Sequence, residues 1–241
     1  MNNSISPSRW LDFTLALTVR ELKGRYKHMA LGFAWIMINP LLQMLVIGLI
    51  FQFFPTLRTE NYFLYLFLGL LPWNFFSASI TTGTPLFVHE SLIVSLAVSN
   101  FFHFSIGLLL VLPFAQASLR FDWLLAASTW LFLFTVGVTL LFSSLNVRFR
   151  DIDFLVKAVV PLWFYATPII YSSQMLPEFA QQILAINPVT PIIELFRAAL
   201  GVSAAPASQI MLFWPLMITT LVFITGILIF KREEKYFDDW M

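Results

Sequence analysis

Cysteine is absent from the 241 residues, and charge is scarce: Asp, Glu, Lys and Arg together make up 11% of the chain. The first absence excludes a disulfide framework and any thiolate metal site, and leaves the redox compartment undeclared. The second lies far below the soluble average of about a quarter, while 59% of the residues are hydrophobic, so the chain reads as a membrane protein. Histidine is nearly as rare. His28, His89 and His103 are the three, and no two have the spacing of a zinc-binding helix face. None of the nine glycines opens a G-x-x-x-x-G-K-S/T loop, so no phosphate-binding loop of an ATPase is present. No internal repeat is visible, which argues against an inverted-repeat carrier. The N-terminus does not read as a cleavable signal, because Met1 to Trp10 is polar and the following stretch is broken by Asp12, Arg20 and Glu21. A formal net charge of +1 gives no reason to expect a nucleic-acid partner.

What the chain does have is apolar runs, and the junction at Arg20–Pro40 organises them. Arg20, Lys23, Arg25 and Lys27 precede a chargeless run over 31–54, long enough to cross a core of about 30 Å at about 1.5 Å per helical residue. Further spans are expected over 62–80, 96–118, 123–145, 154–171 and 210–230, giving an all-α polytopic membrane protein with six transmembrane helices in a single transmembrane domain, 1–241. Before the first span, Leu11, Leu15, Leu22 and Tyr26 recur at helical spacing, while Asp12, Lys23 and Lys27 fall largely on another face. That pattern predicts an amphipathic interfacial helix over 8–28. Pro40 and Pro72 fall inside spans and predict kinks there. Asp151 or Asp153 is expected to cap the fifth span, and Thr190 with Pro191 to begin a helix to Leu200 too short to cross. The segment 172–209 stays on one side, and 231–241 is a charged tail.

Charge distribution sets the orientation. Placing both termini in the cytoplasm puts Arg9, Arg20, Lys23, Arg25, Lys27, Arg148, Arg150, Lys157, Lys231, Arg232 and Lys235 inside, eleven in all, against Arg58, Arg120 and Arg197 outside. The reverse topology would invert that bias.

Within the spans, well-buried Asp, Glu, Lys and Arg are missing, which points to energy supplied from elsewhere than an ion gradient. His103 lies in the third span and is either a proton relay or a neutral ring bonded to a neighbouring helix. The amides Asn39, Gln43, Asn74, Asn100 and Gln116 are expected to join helices by hydrogen bonds worth about 1 kcal/mol or less. Aromatics reach 17%, and those at mid-depth, Trp35, Trp73, Phe75, Trp163 and Tyr165, either pack or offer flat faces to sugar rings.

Four segments together resemble the membrane-spanning subunit of polysaccharide-exporting ABC transporters, the type-two exporter family that handles O-antigen, capsular polysaccharide and teichoic acid. They are LKGRYKHMALGFAWIMINPLLQ, the loop NVRFRDID, the outer NPVTPIIELFRAAL, and the tail pattern of Phe230, Glu234, Phe237 and Asp239. The resemblance implies a bacterial inner-membrane homodimer with two cytoplasmic ATPase subunits that carry ATP and Mg, enclosing a channel for an undecaprenyl-linked glycan. It assigns Arg20, Lys23, Arg25, Tyr26 and Lys27 to a gate helix, and Arg148, Arg150, Asp151 and Asp153 to ATPase coupling. Pro188, Pro191, Glu194 and Arg197 would belong to an outer re-entrant gate. The chain would then hold no catalytic residue, metal or cofactor of its own. One departure is visible: relatives carry a longer basic stretch between the second and third spans, whereas here Ile93 leads straight into VSLAVSN. Two other readings stay in view: a sugar or lipid transferase using Asp151, Asp153 and a metal, and an ion-coupled carrier centred on His103.

Overall fold

The computed structural model describes residues 7–27, 32–53, 61–86, 89–115, 119–203 and 209–234. Among these, nine α-helices follow in order: α1 (Pro7–Tyr26), α2 (Trp35–Phe51), α3 (Tyr62–Gly83), α4 (Glu90–Val111), α5 (Phe121–Arg148), α6 (Asp151–Tyr165), α7 (Glu178–Ile186), α8 (Val189–Ala199) and α9 (Gln209–Glu234). No strand occurs among the described residues. Hydrocarbon offers no partner to a backbone N–H or C=O, so apolar runs of this length satisfy themselves as helices.

Four helical stretches are long and apolar enough to cross a bilayer: α3, α4 with its 3-10 extension to Phe114, α5, and Phe213–Glu234 of α9. The chain is therefore a multi-pass, all-helical membrane protein. Two expected spans are shorter, α2 at 17 residues and α6 at 15. The fifth was expected to run to 171. It stops at Tyr165 because Pro168 disfavours helical backbone at Thr167, and the chain turns there. Other boundaries shift both ways: α4 begins at Glu90 rather than 96 but its helical stretch ends at Phe114 rather than 118, and α5 and α9 overrun their expected cytoplasmic ends by about a turn. Both α2 and α3 continue as helix through Pro40 and Pro72.

Burial ranks the helices. α3 is apolar on every side and sits at the centre, with 72% of its spanning window buried, whereas α9 lies at the rim with 22%. Around α3 the core is largely aromatic. Phe75 meets Phe101, Phe104 and Phe132, and Phe76 stacks on Phe134 and takes the edge of Trp163. α5 and α9 cross so closely that their backbones touch: a Cβ on Gly137 would lie 2.6 Å from the Phe223 Cα, and one on Gly226 would strike the Gly137 carbonyl. Small residues permit this approach in membranes, where packing rather than water exclusion joins helices. The buried hydroxyls of Thr135, Thr139 and Ser144 bond back to carbonyls one turn earlier, so α5 buries them satisfied.

The connections fall at two opposite ends. At one, Ser143 donates to the Leu86 carbonyl, Arg148 pairs with Glu233 and His89 meets Glu234. At the other, Arg120 N–H donates to the Ala199 carbonyl, and the hydroxyls of Tyr62 and Tyr65 reach the carbonyls of Ile170 and Tyr171. This alternation agrees with the hairpin order expected from hydropathy.

Candidate functional site

The charged loop after α5 is built by its flanking helices. Arg148, the last residue of α5, donates through Nε and Nη2 to both Glu233 oxygens, at 2.9 and 2.8 Å. Neither expected aspartate caps α6. Asn146 does so, accepting from the Asp153 N–H at 3.0 Å, while the Asp153 carboxylate takes Lys157 Nζ at 2.6 Å. Arg150 and Asp151 project outward, with Phe149 and Phe154 exposed beside them. Thus of the four residues assigned to coupling, two are engaged within the protein and two are presented.

α1 lies against α4. The face it buries is formed by Thr14, Leu17 and Thr18, while Leu11 and Leu15 point away from the protein, as an interfacial helix with a lipid-facing side requires. Arg20, Lys23 and Lys27 are exposed, and Tyr26 is the final helical residue. Arg25 differs. Its Nη1 donates to Asn100 Oδ1 at 2.8 Å and lies 3.3 Å from His103 Nδ1, and its Nη2 pairs with Glu21 at 3.2 Å. A guanidinium only donates, so His103 Nδ1 is the acceptor and carries no proton. Asn100 passes the network on to Ser79 of α3 at 3.0 Å. Of the other amides, Asn74 donates to Gln43 at 2.9 Å, joining α3 to α2. His28, Arg58, Gln116, Lys235, Phe237 and Asp239 lie outside the described residues.

The five mid-depth aromatics separate. Trp73 and Phe75 are buried, Trp73 between Phe76 and Phe164, so packing occupies the faces that a sugar ring would need. Trp163 is half-buried and donates to Asn187 Oδ1 at 3.0 Å. Trp35 and Tyr165 keep exposed rings.

The segment after α6 holds the least expected chemistry. After α6 the chain leaves helix geometry, and each exposed carbonyl finds a donor. Asn187 Nδ2 serves Ala166 at 3.3 Å, Arg197 serves Pro168 and Ile169 at 2.8 and 2.9 Å, and Tyr62 and Tyr65 serve Ile170 and Tyr171 at 2.8 and 3.0 Å. Arg197 is 1% exposed, so it is not a solvated outer charge. Its guanidinium carbon sits 3.5 Å from the Tyr65 ring centre, and its Nε donates to the Tyr65 carbonyl. Gly69 makes the room, since a Cβ there would lie 2.7 Å from Arg197 Nη2. α8 also starts earlier than expected. Asn187 Oδ1, not Thr190, caps it by accepting from Val189 N–H at 3.1 Å, with Pro188 at the boundary and Pro191 inside. Glu194 accepts from the Ser173 hydroxyl at 2.8 Å, which ties α8 to the turn before α7.

Glu233, Asn146, Asn187, Tyr62 and Tyr65 were not singled out from the sequence. The partners of Glu233, Tyr62 and Tyr65 lie 85 to 108 residues away, where no local pattern marks them, whereas Asn146 and Asn187 bond N–H groups within seven residues and are capping residues by type. Among the described residues no group of three His, Asp or Glu side chains is placed to hold a metal ion.

Comparison with known proteins assigns the bundle. The ABC-2 type transporter family matches residues 72–201, from the centre of α3 to the end of α8. The chain is 31% identical over 204 residues to the O-antigen export system permease protein RfbA of Klebsiella pneumoniae, covering 77% of this chain and 79% of that one. To the protein of the same name from Myxococcus xanthus it is 29% identical over 241 residues, 92% and 93% of the two chains. The polysialic acid transport protein KpsM of Escherichia coli is 21% identical over 240 residues, 91% and 93%. The matched family region holds α4 to α8, including the α5–α6 loop and the Arg197 carbonyl cluster, and on this ground the chain belongs to the ABC-2 type transporter family.

Proposed function

We propose that this chain is the permease subunit of an ATP-driven exporter that moves a lipid-linked polysaccharide, of O-antigen or capsular kind, outward across a bacterial inner membrane. The observation that carries the reading is its 29–31% identity to O-antigen export permeases along 77–92% of the chain. The substrate is an undecaprenyl-linked glycan, and the working unit is a homodimer with two cytoplasmic ATPase subunits that bind ATP and Mg. Six helices packed as one bundle leave little lumen in one protomer, and twelve from two copies could line a wide one. α2 and α6 complete six spans with both termini cytoplasmic, while α7 and α8 re-enter from the outer side.

Roles follow the exposure of each side chain. Arg150 and Asp151 meet the ATPase, and Arg148 and Asp153 hold that loop in place. α1 is the gate helix, hinged to the bundle through Arg25. Pro188, Pro191, Glu194 and Arg197 belong to the outer gate. Trp35 and Tyr165, with open rings, are the aromatics placed to meet glycan or the second protomer. Closure of the ATPase dimer pushes the α5–α6 loop and pivots the spans about Pro40 and Pro72.

The test is purification from native membranes followed by hydrolysis measurements in proteoliposomes. A stoichiometric ATPase partner whose turnover rises with lipid-linked glycan supports the proposal. A chain that purifies alone and moves substrate without ATP overturns it.

A further inference from the structure

The turn between α5 and α6 is held from two sides. On one side the Arg148 guanidinium forks onto both oxygens of Glu233 at 2.8 and 2.9 Å. Glu233 lies 85 residues away on α9 and is 7% exposed, so its carboxylate has little water to fall back on. On the other side the Asn146 amide oxygen binds Asp153 N–H, fixing the start of α6 to the end of α5. α9 is itself anchored at this depth. Phe230 is buried among Ile93, Ala97, Val136 and Leu140, and Glu234 reaches His89 at 3.3 Å. Between these two fixings lie the exposed Arg150 and Asp151.

We propose that Glu233 is a positioning residue for the α5–α6 loop: it orients Arg148, and so makes the loop and the inner end of α9 move as one body. The inference rests on the ATPase-coupling role proposed above for that loop. A forked guanidinium–carboxylate pair fixes angle as well as distance, which a single-point lysine contact would not. An exposed pair of this kind would hold little. Here one partner is buried, and removing the other leaves a carboxylate without water or counter-charge. Force delivered to Arg150 and Asp151 then reaches α9 directly, without first bending the loop. The short α3–α4 connection joins the same body through Ser143 on Leu86 and through His89.

The absence of cysteine allows a direct test. Spin labels are placed by Phe154→Cys and Lys231→Cys, both exposed positions, and the distance distribution is measured for the full chain in nanodiscs. The background is unaltered, carries Glu233→Gln, or carries the reversal R148E/E233R. In parallel, ATP hydrolysed per glycan exported is measured for the complex with its co-purifying ATPase. Glu233→Gln is expected to broaden the distribution and to raise ATP consumed per glycan about tenfold at unchanged ATPase co-purification. The reversal restores most of both. A distribution as narrow in Glu233→Gln as in the parent, or a reversal no better than the single change, overturns the proposal. Distances that behave as expected in a chain that recruits no ATPase defeat the coupling reading and leave the positioning by Glu233 standing.

Discussion

Replacing Arg197 by leucine tests how the outer segment is held, and the cost follows from its bonds. Three carbonyls lose a donor. The Tyr65 carbonyl lies inside α3 and keeps its helical partner, so it is not orphaned. The Pro168 and Ile169 carbonyls lie outside any helix and lose the guanidinium. At about 1–3 kcal/mol for each buried group left unpaired, the gross loss is about 2–6 kcal/mol. The contact with the Tyr65 ring, 3.5 Å from the guanidinium carbon, adds about 1–2 kcal/mol. Against this stands the relief of burying one charge fewer, several kcal/mol for an unpaired ion but less for one held by three carbonyls. A net loss of about 2–4 kcal/mol results, which at about 2–4 °C per kcal/mol is a fall of roughly 4–16 °C in the unfolding midpoint.

The assay is thermal unfolding of the detergent-purified chain, read by size-exclusion fluorescence. Arg197→Lys separates charge from geometry: an ammonium keeps the charge but cannot fork across two adjacent carbonyls while facing a ring, so it should recover less than half of the loss. Gly69→Ala should act in the same direction without touching a charge, because its Cβ would press on Nη2. A midpoint unchanged in Arg197→Leu, or fully restored by lysine, would refute the carbonyl-holding argument.

Other outcomes follow from the same contacts. Arg150→Glu or Asp151→Lys, at exposed positions, should leave folding unchanged and reduce glycan export about tenfold or more relative to ATP hydrolysed; equal export in both variants removes the coupling role. Gly226→Leu should separate α5 from α9 and prevent recovery of folded protein, whereas Gly24→Ala, where an added Cβ meets nothing, should be recovered like the parent. Arg25→Gln removes the tie between α1 and the Asn100–His103 pair and should increase protease cutting after α1 several-fold. His103→Gln keeps an acceptor for Arg25 and should export normally; loss of export there, with proton uptake coupled to transport in the parent, would favour the carrier reading.

The spans were legible because their signal is local: a run without charge, bounded by Arg and Lys on one side, is a property of adjacent residues. Boundaries moved where a tertiary partner intervened. α5 extends to Arg148 because Glu233 receives its side chain, and α6 ends early because Arg197, Tyr62 and Tyr65 satisfy the carbonyls that a longer helix would have used. The caps were misassigned for a similar reason. Asp151, Asp153 and Thr190 are good capping residues by type, but Asn146 and Asn187 already occupy the exposed amides. The aromatics divided between core and surface on burial alone, which residue type and spacing do not encode.

The two ends of the bundle are held by different physics, and the difference bears on where motion enters. The end that holds Arg197 relies on neutral or singly charged donors aimed at backbone carbonyls, and the Arg197 bonds among them are buried from water and salt. The opposite end relies on ion pairs with one exposed partner each: Arg148 on Glu233 and His89 on Glu234. The His89–Glu234 contact is open to solvent and weakens with salt, whereas the forked Arg148–Glu233 pair keeps its carboxylate buried. A displacement applied at the α5–α6 loop is therefore passed through the Arg148–Glu233 pair to α9, while the far boundary resists until its carbonyl donors are withdrawn together. Release of the segment after α6 is then a concerted step, because Arg197 serves Pro168 and Ile169 at once and neither carbonyl has another side-chain donor among the described residues.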